Sequence, residues 1–364
     1  MMSSRVAWRR AVPMMAAGVL AVTVAACSSS GGGSSSASSS SSSGSTSSVS
    51  GTLKLGYFPN LTHAPALYGT TQGIFAKDLG SGVTLKQQTF NSGTQEGEAI
   101  LAGGIDAGYI GPNPAVNAYI KTKGAVLRIV SGATSGGAGL VVKPSITSVA
   151  DLKGKKIATP GLANTQDVAL RYYLQKNGLK TSTSAGGDVT VLPEDNAVTA
   201  TAFASGAIDG AWVPEPYLSR LVAQGGKVLV DEASQWPAGK FVTTLLVVRT
   251  DYLKKNPEIV KRLIQANVDS INALNADPQK GQDATNAALK KLSGKALAPG
   301  VLASAWKRLT FTPDPIASSL LTSASHQASL GLLKGKTSDL NGIFDLSVLN
   351  GILSSSGKAQ VASQ

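Results

Sequence analysis

The sequence predicts an α/β protein of two similarly built lobes, and three observations carry the prediction. Short β-branched or apolar runs alternate with helical patterns along the chain, the pattern of strands layered against helices. The stretch from residue 51 to 364 is long enough for two such lobes. The third observation is an internal echo. Residues 101 to 114 run LAGGIDAGYIGPNP and residues 204 to 216 run ASGAIDGAWVPEP. Each passes from a helix end through Ile-Asp and a short strand with an aromatic into Pro-x-Pro, so the two lobes are expected to be built alike.

The chain opens with Arg5, Arg9 and Arg10, followed by an almost wholly apolar run from residue 11 to 26. That run is shorter than the ~20 residues a membrane-spanning helix needs, and it has the flanks of a secretory signal. It ends in Val24-Ala25-Ala26-Cys27, and Cys27 is the only cysteine in the chain. Small residues before a cysteine at this place resemble a bacterial lipobox. Cleavage is therefore expected before Cys27 and a lipid on its thiol, which puts the protein on the extracytoplasmic face of the cell membrane. Residues 28 to 50 are almost entirely Ser and Gly. They have no apolar side chains to offset the entropy of ordering. As a coil they reach roughly 25 Å, which suits a tether between lipid and body.

A folded body without a second cysteine excludes thiol catalysis, disulfides and thiolate metal sites. The net charge is +12, of which the leader contributes three arginines and no acid, leaving +9. Such a balance raises the question of nucleic acid, but the lysines are scattered and export argues against it. The charge balance instead suits a basic surface lying near anionic lipid, which speeds the arrival of anions.

The strand candidates are 53–57, 83–87, 107–110, 127–131, 140–142, 156–158, 189–192, 210–213, 227–230 and 243–248. Helix starts are marked by Ser148-Val149-Ala150-Asp151 and Asn164-Thr165-Gln166-Asp167, each with a cap residue three before an acid. Asn113-Pro114, Glu215-Pro216 and Asn256-Pro257 place Pro where a helix begins. Gly73, Gly178 and Gly225 are placed to end helices. From Pro257 to Leu274, Val260, Leu263, Ile264, Val268, Ile271 and Leu274 share one face, as in a core helix.

In an open α/β lobe, ligands sit beyond the carboxyl ends of strands, where helix N-termini gather. Five helix starts follow strands closely: near Thr62, Ser92 and Asn113 in the first lobe, and near Asn164 and Glu215 in the second. Each presents unpaired N–H groups and about half a positive charge. Ser92, Gly93, Thr94 and Gln95, and Asn164, Thr165 and Gln166, add small donors beside them. Converging such ends makes an anion site that needs no arginine. Tyr57, Phe58, Tyr109 and Trp212, at strand tips, are candidates to wall off an apolar tail; Trp212 and Tyr109 equally suit the core. His63 either donates to an anion or caps its helix; His326 is expected at the surface. Glu215 either supports its own helix start or meets a ligand ammonium.

At these residues the chain resembles the type II periplasmic binding proteins of the aliphatic sulfonate, taurine and nitrate branch of ABC importers. The matching pieces are Gly56-Tyr57-Phe58-Pro59-Asn60-Leu61-Thr62-His63, Gly104-Ile105-Asp106, SVADLKG from Ser148 to Gly154, Lys156-Ile157-Ala158, and Gly206-Ala207-Ile208-Asp209 through Trp212 to Tyr217. The likeness runs from about residue 52 to 275. It implies a two-lobe fold with two interlobe crossings, near Val141–Lys143 and Lys240–Thr244, so that 51–140 with 245–364 form one lobe and 141–244 the other. It implies closure over the ligand, a permease and its ATPase as partners, and a monomer with no cofactor and no metal. Carried over by position, the sulfonate pocket maps onto Thr62, His63, Ser92 to Gln95, Asn113, Asn164 to Gln166, Trp212 and Glu215. Nitrate and bicarbonate stay open as ligands. Pro59-Asn60-x-x-His63 also resembles binders of the thiamine pyrimidine precursor, which often carry a cysteine-rich stretch absent here.

An exported enzyme is the competing class. Two histidines do not assemble a Ser-His-acid set or a His/Cys metal cluster. Gly331-Leu332-Leu333-Lys334-Gly335-Lys336-Thr337 is one residue short of a phosphate-binding loop and follows a helical stretch where a strand is required. The expectation is a binding protein.

Overall fold

The computed structural model describes residues 49–184 and 186–363. The leader, Cys27 and all but the end of the Ser/Gly tether lie outside the described residues. Eleven strands are described. β1 (Gly51–Tyr57), β2 (Val83–Thr89), β3 (Ala107–Ile110) and β4 (Leu127–Gly136) come first. β5 (Ala138–Val142), β6 (Lys156–Thr159), β7 (Thr190–Pro193), β8 (Gly210–Pro214) and β9 (Lys227–Asp231) follow, then β10 (Val242–Arg249) and β11 (Leu309–Phe311). The ten expected strands are all present, most of them longer by one to five residues.

They form two sheets, ordered β11-β4-β10-β3-β1-β2 and β7-β6-β8-β5-β9. Both repeat one plan. A parallel trio, β2-β1-β3 in one and β7-β6-β8 in the other, is followed by a single antiparallel strand, β10 or β5. The alternation predicts parallel lobes, and here the sheets correct it: both are mixed. β5 and β10 are the strands that arrive from the other sheet, so they enter from the opposite end and pair antiparallel. The passage from β4 to β5 is made at Gly136 and Gly137, whose φ of 78° and 73° only glycine adopts freely. It lies before Val141–Lys143, because the apolar run at 138–142 is already laid along β8 and β9.

The internal echo has a structural counterpart. Asp106 and Asp209 each stand just before the central strand of a sheet. Lys54 N–H donates to Asp106 Oδ2 at 2.8 Å, and Lys156 N–H donates to Asp209 Oδ2 at 2.9 Å. Both carboxylates pin the start of β3 or β8 to its parallel neighbour, while Ile105 and Ile208 are buried beneath. Sequence similarity here is a repeated local solution to one geometry.

Helix Pro257–Ala276 buries Val260, Leu263, Ile264, Val268, Ile271 and Leu274 against the six-stranded sheet, the expected face. At roughly 1.5–3 kcal/mol for each large apolar side chain, this stripe anchors that half of the molecule. Asn267 sits inside it fully satisfied: it accepts from Tyr109 Oη at 2.8 Å and donates to Gly132 O at 2.9 Å. That junction turns Tyr109 into the core. No helix of the described residues is long and apolar enough to cross a membrane.

Candidate functional site

Where the carboxyl ends of β1, β3, β6 and β7 face one another lies a narrow cleft of about 30 Å³, open to solvent. Five helices begin at its walls. The helices starting at Ala64, Gly93 and Pro112 stand on the six-stranded side, and those starting at Thr165 and Asn196 on the other. His63, Ser92, Gly111 and Asn164 are the residues that precede four of these helices, and all four line the cleft. Each helix brings first-turn N–H groups without an intrahelical partner and a partial positive charge. Not one of the sixteen lining residues is Asp, Glu, Lys or Arg.

Three side-chain donors add to this. Asn164 begins its helix but makes no cap hydrogen bond. Its Oδ1 accepts from Thr94 Oγ1 at 3.4 Å across the cleft, and its Nδ2 is buried with no partner. Thr165 Oγ1 is likewise buried and unpartnered. Such groups cost about 1–3 kcal/mol each until something accepts from them. His63 is 2% exposed, stacks on Phe58 at 4.4 Å, and accepts from Phe58 N–H through Nδ1 at 3.2 Å. Burial pushes its pKa down to about 3. The ring is therefore neutral, and since Nδ1 accepts, its proton is on Nε2: a donor without charge.

The structure distributes the expected residues unevenly. Thr62, His63, Ser92, Gly93, Asn164, Thr165 and Gln166 line the cleft. Thr94 is exposed and acts as the bridge to Asn164, and Gln95 is exposed with its side chain turned back to Asn91 N–H. Asn113 is off the cleft, because its amide is consumed by α-helical partners far along the chain. It donates to Gln327 Oε1 at 2.9 Å and accepts from Ser323 Oγ at 2.8 Å. Trp212 is 1% exposed in the core of the second sheet, donating to Glu232 Oε2 at 2.7 Å. Tyr57 and Tyr109 are buried as well, which leaves Phe58 as the aromatic wall. His326 is half-buried and stacked on Tyr172 at 3.5 Å, a correction to its expected surface place. Asn196 and Thr243 line the cleft unforeseen; Asp195-Asn196 after a strand was the available signal.

Glu215 is fully buried and turned from the cleft. It accepts from Ser219 N–H at 3.1 Å and Ser219 Oγ at 2.9 Å, with Arg308 Nη1 3.6 Å away. Burial pushes its pKa up to about 7, against the pull of those partners. A carboxyl raised this way gives stability that is complete below its unfolded pKa and is lost as pH rises through 7. Relative to the parent, Glu215→Gln is expected to gain about 3 kcal/mol of unfolding free energy between pH 4 and pH 8. Parallel denaturation curves at both pH values test it; a pH-independent difference refutes it.

The two sides touch closely. Asn117 Nδ2 donates to Ala163 O at 3.3 Å, and a Cβ placed on Gly111 would meet Thr165 Oγ1 at 2.6 Å. Gly111→Ala is expected to wedge the sides apart and raise the radius of gyration in small-angle scattering; an unchanged radius counts against that. No cluster of three or more His, Cys, Asp or Glu comes together among the described residues.

Comparison with known proteins gives the following. The NMT1-like family is matched over residues 48–289. A taurine-binding periplasmic protein of Escherichia coli is 30% identical over 216 residues, 59% of this chain and 64% of that protein. The chain thus spans just under two thirds of that relative. Among solved structures, the alkanesulfonate-binding protein SsuA from Xanthomonas axonopodis pv. citri, bound to MOPS, superposes with a TM-score of 0.65 at 22% identity, covering 79% of this chain and 95% of that one. The periplasmic nitrate-binding protein NrtA from Synechocystis superposes with a TM-score of 0.71 at 16% identity, covering 84% and 89%. The α/β fold with two sheets is the fold of these periplasmic binding proteins.

Proposed function

This chain belongs to the NMT1-like family, and from that membership we propose that it is the extracytoplasmic solute-binding component of an ABC importer, capturing a small organic anion. It holds an aliphatic sulfonate or taurine between its two halves and delivers it, closed, to a membrane permease driven by an ATPase. It works as a monomer tethered through a lipid on Cys27, and it performs no chemistry on its ligand.

One observation carries the reading: the cleft is lined by donors and helix starts with no charged side chain of either sign. A sulfonate spreads one negative charge over three oxygens, so several weak, fixed dipoles suit it better than one cation. An aminosulfonate is favoured over a plain alkanesulfonate because Asn196 Oδ1 is buried at the same cleft without a donor. A ligand ammonium supplies that donor; Glu215, whose carboxylate is held by Ser219 off the cleft lining, does not meet it.

Thermal unfolding of the protein without its leader, titrated with taurine, alkanesulfonates, nitrate, bicarbonate and the pyrimidine precursor of thiamine, tests the proposal. The true ligand at a hundred times its dissociation constant adds about 2.7 kcal/mol. Stabilisation by taurine or an alkanesulfonate is expected. A response to the pyrimidine alone, or to none of the anions, overturns the reading.

A further inference from the structure

A further cavity of about 40 Å³, sharing no residue with the cleft and open to solvent, lies beside helix Thr165–Lys176. Its walls are aromatic: Tyr172 and Tyr173 from that helix, Trp212 from β8, Trp236 from the segment leading back to β10, and His326 from helix Ala317–Ser329. The rings hold one another in place. Tyr172 stacks on His326 at 3.5 Å, Tyr173 meets Trp212 at 5.6 Å, and Trp236 stands 5.8 Å from His326 with Phe241 stacked behind it.

Among these rings lies Glu232, 1% exposed. One carboxylate oxygen accepts from Trp212 Nε1 at 2.7 Å; the other, Oε1, is buried without a well-formed hydrogen bond, the Trp236 indole being the donor beside the carboxyl. A half-satisfied carboxyl costs several kcal/mol in a folded interior. We propose that this cavity is a binding site for a small organic cation of the quaternary or alkylammonium class, held by the π faces of the aromatic rings and by Glu232.

The chemistry fits on three counts. Aromatic faces attract a cation within about 6 Å of the ring, and most strongly where water is excluded. An alkylated ammonium is weakly hydrated, so it enters an apolar box at less cost than a bare ammonium. Glu232 supplies the one anionic group of the walls, and burial pushes its pKa up to about 7 against the hydrogen bonds from Trp212 and Trp236. Lys176 also lines the cavity but is exposed, and burial, with Lys176 nearby, pushes the His326 pKa down.

Titration of the full-length protein with tetramethylammonium and with choline, read by calorimetry and by tryptophan fluorescence, tests the proposal. Saturable binding in the millimolar range or tighter is expected, with quenching from Trp212 and Trp236. Glu232→Gln is expected to weaken it at least tenfold, and Trp236→Leu likewise, while circular dichroism shows both variants folded. The neutral isostere 3,3-dimethylbutan-1-ol is expected to bind at least tenfold more weakly than choline. Vesicles form a separate arm: capture by phosphatidylcholine in excess of capture by phosphatidylglycerol, which the lipid on Cys27 alone would not produce, together with or in place of free choline binding, assigns the same cation chemistry to a lipid-borne or a soluble source. No saturable binding of any of these cations overturns the proposal, as does equal binding by the neutral isostere or undiminished binding by folded Glu232→Gln. Taurine titration of the same variants is independent, so failure of the cleft reading and failure of this one are told apart.

Discussion

In the Asn164→Asp variant, anion capture is expected to fall roughly a thousandfold while circular dichroism shows the protein still folded. The substitution keeps the shape of the side chain and exchanges the buried, unpartnered Nδ2 donor for a carboxylate oxygen. A like charge about 4 Å from the guest costs about 4 kcal/mol at the effective dielectric of a protein site. At 1.4 kcal/mol per factor of ten, that alone gives about three orders of magnitude. Stability is not expected to rise with it, because Asn164 makes no cap hydrogen bond and is 3% exposed, so a carboxylate there is desolvated, a cost the helix dipole offsets only in part. The experiment also discriminates. Were the cleft built for a cation, Asn164→Asp would tighten binding, so an affinity that rises or stays the same removes the anion reading while leaving the fold untouched.

How far such a site is legible in sequence depends on which forces place each residue. Ser92, Gly93, Asn164, Thr165 and Gln166 follow from a local rule: strand, small polar residue, helix. Nothing distant is needed to bring them to the strand ends, and they stand at the cleft. Trp212, Asn113 and Glu215 obey the same local rule and still face elsewhere. Their direction is decided by Glu232, by Ser323 and Gln327, and by Ser219 with Arg308, mostly partners distant in the chain that no spacing in the sequence announces. Strands were legible because apolar runs are local; their polarity in the sheets was not. β5 and β10 run antiparallel because they carry the chain between sheets, a property of the whole path. The echo is the exception that spans both scales. Asp106 and Asp209 repeat in sequence because a sheet with this order needs the same pin at the same place twice.

Asp167→Asn is expected to cost 3–5 kcal/mol of stability and, separately, to weaken ligand binding, although Asp167 does not line the cleft. Its carboxylate joins three elements. Oδ1 accepts from Thr159 Oγ1 at the end of β6 at 2.9 Å, and Oδ2 accepts from Ala163 N–H at 2.9 Å and from Arg171 Nε at 2.9 Å. Both ionic partners are buried, 0% and 2% exposed. Removing the negative partner leaves a guanidinium uncompensated in the interior, the situation that costs several kcal/mol. The second effect is geometric. Ala163 holds φ at 58°, a conformation disfavoured for a residue with a Cβ, and the bond from its N–H to Asp167 is what keeps the turn from Pro160 to Asn164 in place. With that bond weakened, Asn164 Nδ2 and the first N–H groups of the helix no longer converge on one point. A double variant, Asp167→Asn with Arg171→Met, separates the two effects: it removes the stranded charge and is expected to recover much of the stability while affinity stays low. If affinity returns together with stability, Asp167 serves the fold alone and the turn at Ala163 holds itself.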